Sequence, residues 1–245
     1  MNAHLMSTVP AAAMLVACSS GSPPRSEPAP DMSPDIAALC QGVINAYECG
    51  RRVEQYQLAR LPQYAARTGD TLVVRLAAGQ EARFVDRNVQ DASGVRYAYH
   101  EFLPAMGYHV VQVLLYEGTG YQLVGHATGN IVPVHAPPLV SPDGRRFATA
   151  SEDLESGYNP TAIQIWRLDG HAAVLEWTLE PAGGPIRPAP DGWGPHDMRW
   201  ITPTELRVMQ VRLDAETNVR RVEGEVVIRL TNGEWSVLNQ SDIGS

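Results

Sequence analysis

A chain of 245 residues with a hydrophobic fraction of 44% is long enough to bury one proper core and does not require two. Its 27 acidic residues outweigh 19 basic ones, and the formal net charge of -8 leaves no electrostatic footprint for a nucleic-acid backbone. All 19 basic residues are arginine, which excludes Schiff-base lysines, a Ser-Lys dyad and the phosphate-binding lysine of a P-loop.

Residues 1–17, MNAHLMSTVPAAAMLVA, contain an apolar run too short for the roughly 20 residues of a membrane span, so we read them as a signal peptide. Leu15-Val16-Ala17-Cys18 resembles the lipobox of bacterial lipoproteins. That resemblance implies cleavage before Cys18, acylation of its thiol and attachment to the lipid bilayer. Ser19 in the next position implies sorting to the outer membrane, with the folded body in the periplasm or on the cell surface. No Lys or Arg precedes Arg25, which departs from the basic start of a secretory signal, and the competing reading of Cys18 is a buried free thiol. Residues 18–33, rich in Ser and Pro, read as a disordered tether.

Residues 34–66 read as a helical segment. Ser33-Pro34-Asp35 has the order of an N-cap, a first-turn proline and an acid that complements the helix dipole. Export makes Cys40 and Cys49 candidates for a disulfide, with reduced buried thiols as the alternative. In one continuous helix they would lie about 13.5 Å apart along the axis, beyond disulfide reach, so the chain must turn between them. Asn45 and Glu48 have the spacing of a capping box, which starts a second helix at Ala46 and carries it to Arg60, ahead of Pro62. Two short helices pinned as a hairpin are expected, with Val53, Tyr56 and Leu61 docked on the body.

From residue 67 to 245 the pattern is alternation broken by turns, the mark of antiparallel β structure. Strands are expected at Thr71–Leu76, Glu81–Asp86, Tyr97–Glu101, Tyr108–Tyr116, Tyr121–Val124 and Ile131–Val134. Further ones are expected at Pro138–Ser141, Phe147–Ser151, Ala162–Leu168, Val174–Leu179, Met198–Trp200, Leu206–Leu213, Glu223–Leu230 and Trp235–Leu238. Asn232-Gly233 is a hairpin turn of the primed type. These fourteen strands make three and a half groups of four at the spacing of propeller blades.

Ser141-Pro142-Asp143-Gly144 followed by Ile163-Gln164-Ile165-Trp166 resembles blades of WD40 and TolB-type β-propellers. With the lipobox, Tyr47-Glu48-Cys49, Tyr116-Glu117-Gly118 and Gly157-Tyr158-Asn159-Pro160, the chain resembles a family of bacterial exported lipoproteins, and that likeness carries over no site. The expected fold class is therefore mainly β. It consists of antiparallel four-stranded repeats, propeller-like or an open curved sheet, behind an N-terminal helical hairpin. Trp166, Trp177, Trp200 and Trp235 are read as packing between the repeats.

Chemistry is sparse. Glu152, Asp153, Glu155 and Asn159 crowd one loop and are weak candidates for a structural calcium, although their spacing is not that of an EF-hand and a solvated acidic loop is the simpler reading. His100, His109, His126, His135, His171 and His196 are scattered without zinc spacing and read as surface or edge residues. With no catalytic motif and no required cofactor, the first expectation is a lipid-anchored binding or interaction module with an envelope protein as a candidate partner. An envelope hydrolase using loop carboxylates is the alternative.

Overall fold

A computed structural model describes residues 34–43, 45–87, 93–155, 157–181, 192–214, 217 and 219–238. The signal peptide, the lipobox with Cys18, the tether and Ser33 lie outside the described residues.

Helix α1 spans Pro34–Leu39 and α2 spans Ala46–Arg60. Asn45 caps α2, its side-chain oxygen accepting the Glu48 amide at 2.7 Å, and Leu61 ends it with an extended-side φ of -126° ahead of Pro62. Between the helices the chain turns at Gly42, where φ is +75°. The turn brings Cys40 and Cys49 to a Cα separation of 4.9 Å, and they form the disulfide. Because the bridge closes a loop of only nine residues in sequence separation, replacing both cysteines by alanine is expected to cost about 2 to 3 kcal/mol. Urea unfolding of the oxidised chain and the double variant measures it.

The body consists of four antiparallel sheets that follow one another along the chain. The first holds β1 (Ala65–Thr68), β2 (Thr71–Arg75) and β3 (Glu81–Val85). The second holds β4 (Val95–Leu103), β5 (Tyr108–Leu115), β6 (Thr119–Gly125) and β7 (Ile131–Val134). The third comprises β8 (Leu139–Val140), β9 (Arg146–Ser151), β10 (Ala162–Asp169) and β11 (Ala172–Leu179). The fourth comprises β12 (Gly194–Thr202), β13 (Glu205–Leu213), β14 (Arg220–Thr231) and β15 (Glu234–Leu238). Every sheet is a meander, each strand pairing with its neighbour in sequence, as alternation with short turns demands. At the β14–β15 hairpin Asn232 and Gly233 both have positive φ, +53° and +88°, as a primed turn requires.

Apolar faces of successive sheets meet in three cores. Leu72, Val74 and Phe84 of the first sheet pack on Tyr99, Val111 and Val124 of the second. Tyr108, Val110 and Leu123 of the second pack on Phe147 and Trp166 of the third, whose rings stack with centroids 5.8 Å apart. Ile163 and Ile165 of the third pack on Trp200, Leu206 and Trp235 of the fourth. No core cluster among the described residues joins the fourth sheet to the first, so the sheets form an open curved series. The tryptophans bind sheet to sheet: Trp200 donates to the Leu139 carbonyl at 3.0 Å, and Trp235 donates to Glu176 at 3.1 Å.

Two features depart from expectation. Strand β1 begins at Ala65, inside the segment read as helical, because Gly69-Asp70 folds Ala65–Thr68 back on β2 in register. Helix α2 docks through Gly50, Val53, Glu54 and Gln57, while Tyr56 and Leu61 stay half-buried. The docked face is largely polar because Glu54 has partners waiting on the sheets.

Candidate functional site

The strands that open the second, third and fourth sheets converge on a cavity of about 410 Å³. Strand β4 contributes Glu101 and Leu103, β8 contributes Leu139 and Val140, and β12 contributes Pro195 to Met198. Tyr121 of β6, Ala150 of β9 and the Ala136-Pro137-Pro138 connection complete the wall. The wall is mostly apolar, with Glu101, Tyr121, His196 and Asp197 as its polar points. His196 and Asp197 are exposed at the rim, where Asp197 caps the neighbouring Met198 amide at 2.8 Å.

Both β4 and β12 carry a bulge where they line the cavity. In β4, Tyr99 pairs with Val111 and Glu101 with Val110, which leaves His100 as the extra residue. His100 and Glu101 consequently both meet Tyr121, a placement that strict alternation would forbid: the His100 ring lies edge-on to Tyr121 with centroids 5.6 Å apart, and Glu101 lines the same cavity wall. In β12 the register slips between Pro195 and Met198, turning His196 and Asp197 out to the rim.

The electrostatics of this corner are unusual for the molecule. No described residue donates a hydrogen bond to the Glu101 carboxylate; its one ionisable neighbour in pairing range is His100, Nε2 to Oε1 at 3.8 Å. Burial raises the Glu101 carboxyl to about 7. Burial also lowers His100 to about 4, so its imidazole is neutral near pH 7, and its Nε2 has no hydrogen-bond partner. The Tyr121 hydroxyl is pushed up to about 12, chiefly by burial, against a weak donation from Gln112 at 3.4 Å. Other half-buried acids have arginine partners. Glu176, for example, is held below the usual carboxylate range: burial opposes its charge, but hydrogen bonds from Arg146 and Trp235, with Arg146 and Arg167 alongside, outweigh it.

The loop singled out in the sequence is elsewhere and occupied with its own fold. Asp153 accepts the Gly157 and Asn159 amides at 3.0 and 2.9 Å. Glu152 and Glu155 both pair with Arg220, at 3.2 and 3.1 Å, and Asn159 accepts the Thr119 amide at 3.0 Å. These side chains fasten the third sheet to the second and the fourth. Among the described residues no three His, Cys, Asp or Glu side chains are grouped to hold a metal. In the Ser141–Gly144 turn, Asp143 accepts from the Ser141 hydroxyl at 2.7 Å and the Arg145 amide at 3.1 Å, which accounts for both residues structurally.

The expectation of surface or edge histidines fails for His100 and His109, which are 4% and 0% exposed. His109 is buried because it has partners on both nitrogens: the Tyr99 hydroxyl lies 3.0 Å from Nδ1, and His126 Nδ1 lies 2.9 Å from Nε2. Sequence reading missed the cavity altogether. The available signal was His100-Glu101, two polar residues in succession inside an alternating strand, which is how a bulge looks in sequence.

No family model, curated protein or solved structure matches this chain.

Proposed function

We propose that this chain is a lipid-anchored binding module of the bacterial cell envelope, tethered through acylated Cys18, that takes a small ligand or a partner's side chain in the cavity between β4, β8 and β12. The observation that carries this reading is the Glu101 carboxyl, without a donor among the described residues, in a mostly apolar concave wall. The acids of the 152–159 loop support it by contrast. An envelope hydrolase working with loop carboxylates would need Glu152 and Glu155 to leave Arg220, and a structural calcium would have to displace two amides from Asp153.

Ligand-observed NMR of the full-length chain against a fragment set of equal numbers of neutral, anionic and cationic aromatics tests the cavity. Ala136, half-buried in the wall, gives the control. Fragments are expected to bind the native chain and to lose binding in Ala136→Trp, whose indole occupies the space. Absence of any hit, or hits indifferent to that substitution, overturns the reading. Mass spectrometry of the mature N-terminus tests the anchor: a diacylglyceryl group on Cys18 is expected, and an unmodified thiol there contradicts it.

A further inference from the structure

We propose that the cavity selects a ligand in which an apolar body carries a single ammonium group, with the Glu101 carboxylate as its counter-ion; this rests on the binding reading above and specifies its ligand class. Three observations converge on it. First, the wall formed by Leu103, Leu139, Val140 and Met198 offers an apolar body a place out of water, in a volume suited to a molecule of drug size. Second, among the described residues of the lining the charged groups are Glu101 and Asp197, with His196 beside them and no arginine, so there an anionic headgroup meets like charge and no described guanidinium. Third, Glu101, 19% exposed, has no donor among the described residues, whereas the buried Glu54 and the half-buried Glu176 are well supplied. Glu54 takes Arg67, Arg51 and the Tyr99 amide, and Glu176 takes Arg146, Arg167 and Trp235. A half-buried carboxylate without protein donors is poorly compensated, and an ammonium brings up to three donors together with the opposite charge.

The groups around Glu101 leave that role to a ligand. His100 faces it from the same strand at 3.8 Å and is neutral near pH 7; Tyr121 of β6 and Tyr99 of β4 are phenols whose ionisation burial suppresses. From β12, His196 and Asp197 stand at the rim. Because the carboxyl must lose its proton to pair with the ammonium, and because burial holds it near pH 7, binding releases a proton below that pH. Affinity therefore rises with pH through about 7 and levels off above it.

Titration calorimetry of the full-length chain with 4-phenylbutylammonium, 4-phenylbutanol and 4-phenylbutanoate at pH 8 tests the assignment. The ammonium is expected to bind about tenfold tighter than the alcohol, and the carboxylate weakest. Between pH 6 and pH 8 the ammonium's affinity is expected to rise about tenfold, with the alcohol's unchanged. Glu101→Gln is expected to bring the ammonium down to the alcohol's level. Equal binding of ammonium and alcohol, or an ammonium affinity untouched by Glu101→Gln, overturns the charge assignment while leaving the cavity as a binding site. If none of the three binds, the assignment fails, and the fragment set with Ala136→Trp decides separately whether the binding reading fails with it. Should Glu101→Gln not fold, the ammonium-to-alcohol ratio and the pH slope of the native chain decide the matter.

Discussion

Replacing Glu54 by alanine is expected to lower the unfolding free energy by about 3 to 5 kcal/mol, the range for breaking one side of a buried ion pair. Glu54 is 1% exposed, and four donors converge on it. Arg67 reaches it through Nε at 2.6 Å and Nη2 at 2.8 Å, Arg51 through Nη1 at 2.6 Å, and the Tyr99 amide at 3.0 Å. Arg67, 8% exposed, also touches Asp86 at 3.1 Å and the Tyr97 carbonyl at 2.5 Å. One carboxylate thus joins the helical hairpin to both the first sheet and the edge of the second. Its removal takes two hydrogen bonds from a buried guanidinium, which keeps only Asp86 as a carboxylate partner, and leaves an edge amide unpaired, which is why the loss exceeds that of a surface pair. Urea unfolding followed by tryptophan fluorescence measures it. The double variant Glu54→Leu with Arg67→Met is expected to recover most of the loss, since it removes the charges together. A drop below about 1 kcal/mol in Glu54→Ala would falsify the role given to this network.

Glu101→Gln is expected to have the opposite sign: the variant is more stable than the native chain above neutral pH, by about 3 kcal/mol near pH 8.5. The carboxyl is raised from its ordinary value of 4.5 to about 7 by burial. Between those two pH values the folded chain holds a proton that the unfolded chain has released, so the native protein loses stability as pH rises through this window. Above about 7 the loss is complete, and below about 4.5 it is absent. Glutamine cannot ionise and escapes the slope. Unfolding of both chains at pH 4, 6 and 8.5 is expected to show a difference that grows with pH. The same substitution removes the ammonium's partner, so stability gained and binding lost fall on one residue.

Much of the scaffold was legible in the residues. Asn45 and Glu48 announce the start of α2, and the nine-residue interval between Cys40 and Cys49 forces the turn that the disulfide needs. Alternation marked the later strands because one face of each is buried against the next sheet. Strand β1 escaped notice because Ala65–Thr68 is four residues without alternation, and it pairs only because β2 follows after a two-residue turn. The polar docking face of α2 was hidden for a related reason. Glu54 and Gln57 look solvent-facing in sequence, and Glu54 is buried because Arg67 of β1 arrives beside it.

The cavity was the least legible part. Its wall is assembled from residues such as Glu101, Val140 and His196 that lie far apart in the chain and meet only because successive sheets stack. Composition and motif spacing carry no trace of such a meeting. The acidic loop drew attention instead because its four donors are neighbours in sequence, yet their neighbours in space are Arg220, Thr119 and the loop's own amides.

The titration of Glu101 itself bears most directly on the site. With the side-chain carboxyl carbon observed by ¹³C NMR in the full-length chain, its midpoint is expected near pH 7 and is expected to fall when 4-phenylbutylammonium is added. A midpoint near 4.5, unmoved by the amine, would mean a solvated surface acid, and the cavity would lose the group on which its proposed chemistry depends.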